Sequence, residues 1–231
     1  MKINNDFTIS KVAYYCLVIV MVMVCLAGAF MTSANRPELV FEENINKVVE
    51  IKVTDDDSTY GYATGFFIDK NGTIITNKHV VINSETKQPY KKILVATATE
   101  EEFIQAEVVK VSETDDIAMI KITKKKTDYF KFAKSVDNGE KIYTIGNPSG
   151  FGLSFTEGVV SSNSRNVIYN GQTINCIQAG LVINEGNSGG PVFNASGELV
   201  GIISFRLKDN RNEIIQGCAF VIPVQTIKNF I

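Results

Sequence analysis

Three short stretches of this 231-residue chain carry residue types that could perform acyl transfer together. The first is Ile74-Ile75-Thr76-Asn77-Lys78-His79-Val80-Val81, and the second is Asp115-Asp116-Ile117-Ala118-Met119-Ile120. The third is Asn184-Glu185-Gly186-Asn187-Ser188-Gly189-Gly190-Pro191. An alcohol is a weak nucleophile at neutral pH and needs a base to take its proton as it attacks a carbonyl. Imidazole suits that task because its ordinary pKa lies close to working pH. A carboxylate beside it fixes the tautomer and steadies the imidazolium that forms. Ser188, His79 and Asp116 are the candidates for nucleophile, base and orienting carboxylate. The backbone N–H groups of Gly186 and Ser188 would meet the developing oxyanion, and a glycine two places before the serine lets the chain curl to present them.

Each residue has a plainer explanation. His79 is the only histidine, and a lone histidine is usually a surface or core residue. Asp115 and Asp116 together resemble a solvated turn, and Gly-rich turns such as 186–191 are common. Position argues otherwise. His79 follows an apolar strand at a strand-to-turn junction, and Asp116 directly precedes the apolar run 117–120. The order His, Asp, Ser with these flanks is far more specific than any one of the three.

These residues need a scaffold, and the apolar pattern predicts one made of strands. Short apolar or alternating runs fall at 48–53, 60–68, 73–76, 93–98, 103–111 and 117–122. A second set falls at 141–145, 155–161, 167–169, 173–178, 191–193, 199–205 and 218–222. Asn71-Gly72 and Asn170-Gly171 sit between such runs, where a type I′ hairpin needs residues that tolerate positive φ. The fold class expected is all-β, with two antiparallel barrels over 48–128 and 129–231. Val224, Ile227, Phe230 and Ile231 have helical spacing and predict a short closing helix. The Lys-rich stretch 121–134 reads as a solvated linker face.

Residues 12–31 form a run of twenty without a charge. At about 1.5 Å rise per residue it matches a hydrocarbon core of about 30 Å. Lys2 and Lys11 precede it, while Glu38, Glu42 and Glu43 follow, so the positive-inside bias leaves 1–11 as a cytoplasmic tail. The expectation is a single-pass anchor in the cell membrane, with a tether and short helix over 32–47 and an extracytoplasmic catalytic domain. The rival is a signal sequence cleaved near Ala27-Gly28-Ala29 or Thr32-Ser33-Ala34, which gives a secreted protein. A net charge of −2 with both signs interspersed offers no source for nucleic-acid binding. Cys176 and Cys218 are the only cysteines outside the apolar run. They either pair or lie as small buried side chains. With no CxxC pair or Cys/His cluster, no metal site is expected.

The stretches resemble the chymotrypsin-fold serine proteases, and specifically the HtrA/Deg family. Ala63-Thr64-Gly65-Phe66-Phe67-Ile68-Asp69 is similar to the family's first-barrel strand, and Thr76-Asn77-Lys78-His79-Val80-Val81 to its histidine motif. Ile145-Gly146-Asn147-Pro148-Ser149-Gly150, Glu157-Gly158-Val159-Val160-Ser161 and Ala219-Phe220-Val221-Ile222-Pro223 resemble second-barrel segments, and Gly186-Asn187-Ser188-Gly189-Gly190-Pro191 the nucleophile loop. The resemblance implies two perpendicular six-stranded barrels and a cleft between them that hydrolyses polypeptides, with unfolded or damaged exported proteins as substrates. It implies no cofactor. Family members often form trimers through N-terminal segments, a contact that Val40 and Phe41 could supply here. The chain ends at Ile231, so an appended PDZ domain is not expected. Glu185 replaces a common proline, and Asn187 stands where digestive relatives carry the acid of a zymogen switch.

By the same resemblance, the primary specificity pocket is lined by Val182, Ile183, Ser204, Phe205, Arg206 and Ala219. Its apolar walls favour small or medium aliphatic side chains, with Arg206 a modifier at the rim. Related glutamyl endopeptidases bind glutamate partly through a second histidine, and this chain has none, so glutamate specificity is not expected. Two alternatives remain: a regulated or chaperone-like peptide-binding protein with a resting site, and a secreted protease of narrow specificity.

Overall fold

Val48, Val49, Ile51 and Val53 are buried while Glu50 and Lys52 are half-buried, the alternation of a strand with one face on a core. The computed structural model describes residues 11–33, 36–169, 171–208, 211 and 214–231. In it this segment is β1 (Val48–Thr54), followed by β2 (Gly61–Phe67), β3 (Thr73–Thr76), β4 (Lys92–Thr97), β5 (Glu100–Gln105), β6 (Glu107–Val111) and β7 (Ala118–Lys121). They form one antiparallel sheet in the order β5-β4-β1-β2-β3-β7-β6. β5 and β6 are separated by buried Ala106 alone, whose N–H donates to Ile93 at 2.7 Å. One bent stretch therefore pairs with both ends of the sheet and curls it closed, so the seven elements do the work of six strands.

The second sheet holds β8 (Lys131–Phe132), β9 (Lys141–Gly146), β10 (Ser154–Tyr169), β11 (Gln172–Ala179), β12 (Pro191–Asn194), β13 (Glu198–Lys208) and β14 (Ile214–Pro223). Its order is β12-β9-β10-β11-β14-β13-β8, and β12 also pairs with β13, closing a ring of six. β8 adds to that ring as two residues parallel to β13. Tyr169 pairs with Gln172 across a two-residue loop in which Gly171 has φ +77°; Asn170 lies outside the described residues. The loop at Asn71-Gly72 differs from the expected type I′ turn. Gly72 has φ +82° but Asn71 is not in the left-handed region, and pairing stops at Phe67–Ile74. Asp69 organises this longer loop instead, accepting the N–H groups of Asn71 and Thr73 at 2.8 and 3.1 Å.

Each sheet encloses its own core, for example Ile51, Phe67, Ile74 and Ile120 in the first and Ile142, Ile177, Val192 and Val221 in the second. A third cluster joins the two. Val48, Phe66, Ile75 and Ile117 meet Tyr143, Ile145, Phe193 and Ile202, with the Phe130 ring 5.8 Å from Phe66 and 5.2 Å from Phe193. Withdrawing one such ring from water contributes about 1.5–3 kcal/mol. The closing helix α4 (Val224–Phe230) puts Ile227 and Phe230 into the same cluster.

Contacts divide the chain into residues 1–37 and 38–231. In the larger unit, α2 (Pro37–Asn44) leads into β1 through a single turn at Ile45–Lys47. Val40 is buried in the shared cluster, and Phe41 lies edge-on to Phe155 at 5.5 Å. Of the two residues expected to make a trimer contact, Val40 is thus buried within this unit while Phe41 is only partly buried. In the smaller unit, α1 (Lys11–Ser33) coincides with the expected span 12–31. The tail 1–10 and the side chains of 26–31 lie outside the described residues. Among the described residues no helix is long and apolar enough to cross a membrane.

Candidate active site

His79 sits on a single helical turn, α3 (Lys78–Val81), that begins where β3 leaves the first barrel. Asn77 shapes this exit in extended conformation, its side-chain amide donating to the Asp116 carbonyl at 2.9 Å. Asp116 lies just ahead of β7, which pairs with β3 from Thr73–Lys121 to Thr76–Ala118. That register brings the two residues together. The His79 backbone N–H donates to Asp116 Oδ1 at 3.0 Å, and Nδ1 meets Oδ2 at 2.8 Å. A carboxylate accepts only, so Nδ1 carries the proton and Nε2 keeps its lone pair for the cleft. Ser204, reaching across from the second barrel, donates its hydroxyl to Oδ2 at 2.9 Å.

Ser188 occupies the loop before β12. First-barrel Thr64 donates its N–H to the Ser188 carbonyl at 3.0 Å, while Gly189 N–H to Ile203 at 3.0 Å and Ile203 N–H to Gly190 at 2.9 Å fasten the loop to β13. Ser188, His79 and Asp116 line one cleft of about 690 Å³. No hydrogen bond joins the Ser188 hydroxyl to His79; in ligand-free hydrolases such bonds are often long and tighten with substrate.

Gly186 has φ +96°, and a Cβ there would stand 2.0 Å from the Asn147 carbonyl oxygen. Its neighbouring peptides are held from both sides. Ser149 N–H donates to the Glu185 carbonyl at 2.8 Å, and Thr64 Oγ1 donates to the Gly186 carbonyl at 2.7 Å. A trans peptide sets its N–H opposite its carbonyl, so Gly186 N–H points away from the Ser149 turn. Among the described residues neither Gly186 N–H nor Ser188 N–H has an acceptor. Two free donors beside a hydroxyl can stabilise an oxyanion. Asn187 is buried with its Oδ1 unpartnered, a position where a neutral amide costs less than a carboxylate.

Asn147 ties this loop to the first barrel. Its backbone N–H donates to Thr64 Oγ1 at 2.9 Å, its Nδ2 donates to Glu50 at 2.6 Å, and its Oδ1 accepts Gly152 N–H at 2.9 Å. Burial pushes the Glu50 carboxyl above its usual range, against the opposing pull of Lys52 and the Asn147 bond. Ionising Glu50 therefore costs more in the folded chain than in the unfolded one. The folded state is relatively favoured while Glu50 is protonated and loses that advantage as pH rises through the raised pKa. Glu50→Gln can accept the same Asn147 bond. It is expected to raise the melting midpoint near pH 8 by about 1–2 °C, with the gain vanishing below the carboxylate range. Melts at the two pH values check this, and a variant less stable near pH 8 would mean that the charge itself holds Asn147.

Of the expected pocket residues, Ile183, Ser204, Phe205 and Arg206 line the cleft. Val182 is 60% exposed and Ala219 fully buried, and neither faces it. Phe205 stacks on Phe220 at 5.1 Å. Cys176 and Cys218 are free and pack beside these rings, and burial pushes the Cys176 thiol up to about 11. Thr64, Asn77, Asn147 and Glu50 were not singled out from sequence as site residues. Thr64, Asn77 and Asn147 fall within the motif stretches without a role assigned, and Glu50 carried no local signal.

A family model described as the trypsin-like peptidase domain matches residues 63–202, a range containing His79, Asp116 and Ser188. The chain belongs to that family. Among trypsin-like peptidases it is similar to a probable periplasmic serine endoprotease, DegP-like, of Pseudomonas fluorescens, at 36% identity over 163 residues. That match covers 70% of this chain and 32% of the relative. Serine endoprotease DegS of Haemophilus influenzae is 34% identical over 166 residues, covering 70% of this chain and 46% of the relative. The chain thus spans from about a third to just under half of the length of these relatives. A solved HtrA-type protease, AlgW with a tripeptide, superposes with a TM-score of 0.74 at 25% identity, covering 84% of this chain and 62% of that one. The fold is chymotrypsin-like, two curled sheets with a short C-terminal helix.

Proposed function

We propose that the chain is a serine endopeptidase of HtrA type acting on exported polypeptides. The observation that carries this reading is Asp116 gripping both the backbone and the ring of His79 in the cleft lined by Ser188. Ser188 Oγ attacks the scissile carbonyl and passes its proton to His79 Nε2, and Asp116 steadies the imidazolium. The oxyanion is met by the N–H groups of Gly186 and Ser188. As the tetrahedral species collapses, His79 returns the proton to the leaving amine and an acyl ester remains on Ser188. Water, deprotonated by His79, repeats the attack and frees the carboxylate and Ser188.

Export and anchoring by residues 12–31 belong to the same proposal. Val12, Leu17, Met21 and Val24 of α1 are all more than half exposed, and a helix apolar around its circumference calls for an apolar cover. The periplasmic designation of the Pseudomonas relative supports an extracytoplasmic catalytic domain, and unfolded or damaged exported proteins are the substrates proposed for it.

The test is a serine-reactive fluorophosphonate applied to cells expressing the chain or Ser188→Ala, followed by carbonate washing and mass spectrometry. The expected result is an adduct on Ser188 in the washed membrane pellet, absent from the variant. No adduct on a folded chain would sink the hydrolase reading in favour of a resting, peptide-binding protein. An adduct found only in the medium would replace the anchor with a cleaved leader.

A further inference from the structure

We infer that Arg206 makes the cleft selective for peptides with a carboxylate side chain immediately before the scissile bond. The inference rests on the hydrolase reading for its chemistry and on the second barrel for its geometry. Two segments border Ser188 on this side of the cleft: 183–185, which leads into the nucleophile loop, and 203–206 of β13. The Arg206 side chain crosses from one to the other, its Nη1 donating to the Ile183 carbonyl at 3.1 Å. Its positive charge is thereby held between the walls of the pocket instead of trailing into solvent.

Among the described residues that charge has no ion-pair partner. A guanidinium offers five N–H donors, and the bond to Ile183 uses one. His79–Asp116, Lys92–Asp57, Lys124–Glu100 and Lys141–Glu157 are ion pairs of the described residues, and none includes Arg206. Ile174, Ile183 and Phe205 also line the cleft. The hydroxyl of Ser204, two residues before Arg206 on β13, is committed to Asp116. A half-buried guanidinium with unused donors is matched by a carboxylate, which accepts two parallel N–H bonds. Of the acidic groups that line the cleft, Glu113, Asp115 and Asp116 belong to the first barrel, and Glu185 is exposed on the rim. The second histidine missing from this chain is therefore not required for binding glutamate, because Arg206 supplies the cation.

Paired peptides with Glu or Gln before the scissile bond isolate the charge, since the two side chains have nearly the same shape. The full chain is expected to favour Glu over Gln by roughly 10- to 100-fold in kcat/KM, and Arg206→Gln to bring the ratio near one. Fluorescence anisotropy on Ser188→Ala, which needs no turnover, should show the same order of preference in Kd. Equal Kd values for the two peptides on Ser188→Ala would overturn the inference even if hydrolysis proceeds. A Glu preference in Kd without turnover would uphold it while removing the hydrolase reading. A preference for Ala or Val that broadens to Leu and Phe in Arg206→Gly would also overturn it, and would make the side chain a bar that only shortens the pocket.

Discussion

Asp116→Asn is expected to lower kcat by about 10⁴-fold while leaving the chain folded. The cause is a reversed proton. Asp116 Oδ2 accepts from His79 Nδ1 at 2.8 Å and so reserves Nε2 as the base. An Asn placed there presents its amide N–H to the ring, since its carbonyl oxygen is still drawn to the His79 backbone N–H now bound at 3.0 Å. Nδ1 must then accept, Nε2 carries the proton, and Ser188 faces a donor where it needs a base. The Ser204 hydroxyl can rotate to accept from the same amide, so the local packing survives. Steady-state kinetics with a cleavable peptide, alongside a thermal melt, check the prediction. A loss under tenfold with an unchanged melt would show that Asp116 does not set the tautomer.

Gly186→Ala should cost about 10²- to 10³-fold in kcat with a smaller change in KM. The added Cβ would meet the Asn147 carbonyl oxygen at 2.0 Å and the Ser149 nitrogen at 2.8 Å. Both are backbone atoms that cannot swing aside as a side-chain tip would. The loop has to shift, the bond from Ser149 to the Glu185 carbonyl goes with it, and the Gly186 N–H leaves its place beside Ser188. Positive φ adds about 1–3 kcal/mol of destabilisation. Gly139 separates strain from collision, because its φ is +81° yet nothing lies within 4 Å of its Cβ position. Gly139→Ala is expected to lower the melting temperature and leave kcat alone. Equal kcat losses in the two variants would remove any special role for the Gly186 peptide.

Much of the frame was legible because its signals are local. Apolar alternation and turn residues located β3 to the residue and most other strands to within one or two. The run 103–111 folds as β5 and β6 bent at Ala106, the runs 155–161 and 167–169 fold as the single strand β10, and β14 begins at Ile214 where the apolar run begins at 218. Two other misses have a visible cause. β8 is two residues long and exists only because β13 offers a free edge beside Lys131 and Phe132; no period can announce it. Asn71 stays out of the left-handed region because the Asp69 side chain and the Thr127 hydroxyl, which donates to the Asp69 carbonyl, build a wider loop than a dipeptide rule foresees. In the site, His79, Asp116 and Ser188 were visible as motifs, whereas their supports were not. Ser204 read as a pocket residue but spends its hydroxyl on Asp116, 88 positions away, and Thr64 reaches Gly186 across 122. Separations of that size leave no trace in a window of neighbours, and only closed barrels bring them within hydrogen-bond distance.

Thr64 is bonded through every polar atom it has. Its N–H holds Ser188, its carbonyl accepts from Thr76, and its hydroxyl donates to Gly186 while accepting from Asn147. A chain folding from its N-terminus completes the first barrel, with His79 and Asp116 in place, before the residues that Thr64 must grip have been made. Until then there is neither a shaped nucleophile loop nor a Ser204 to complete the setting of Asp116. On the hydrolase reading, the ability to cut therefore arrives only with the docking of the second barrel onto the first.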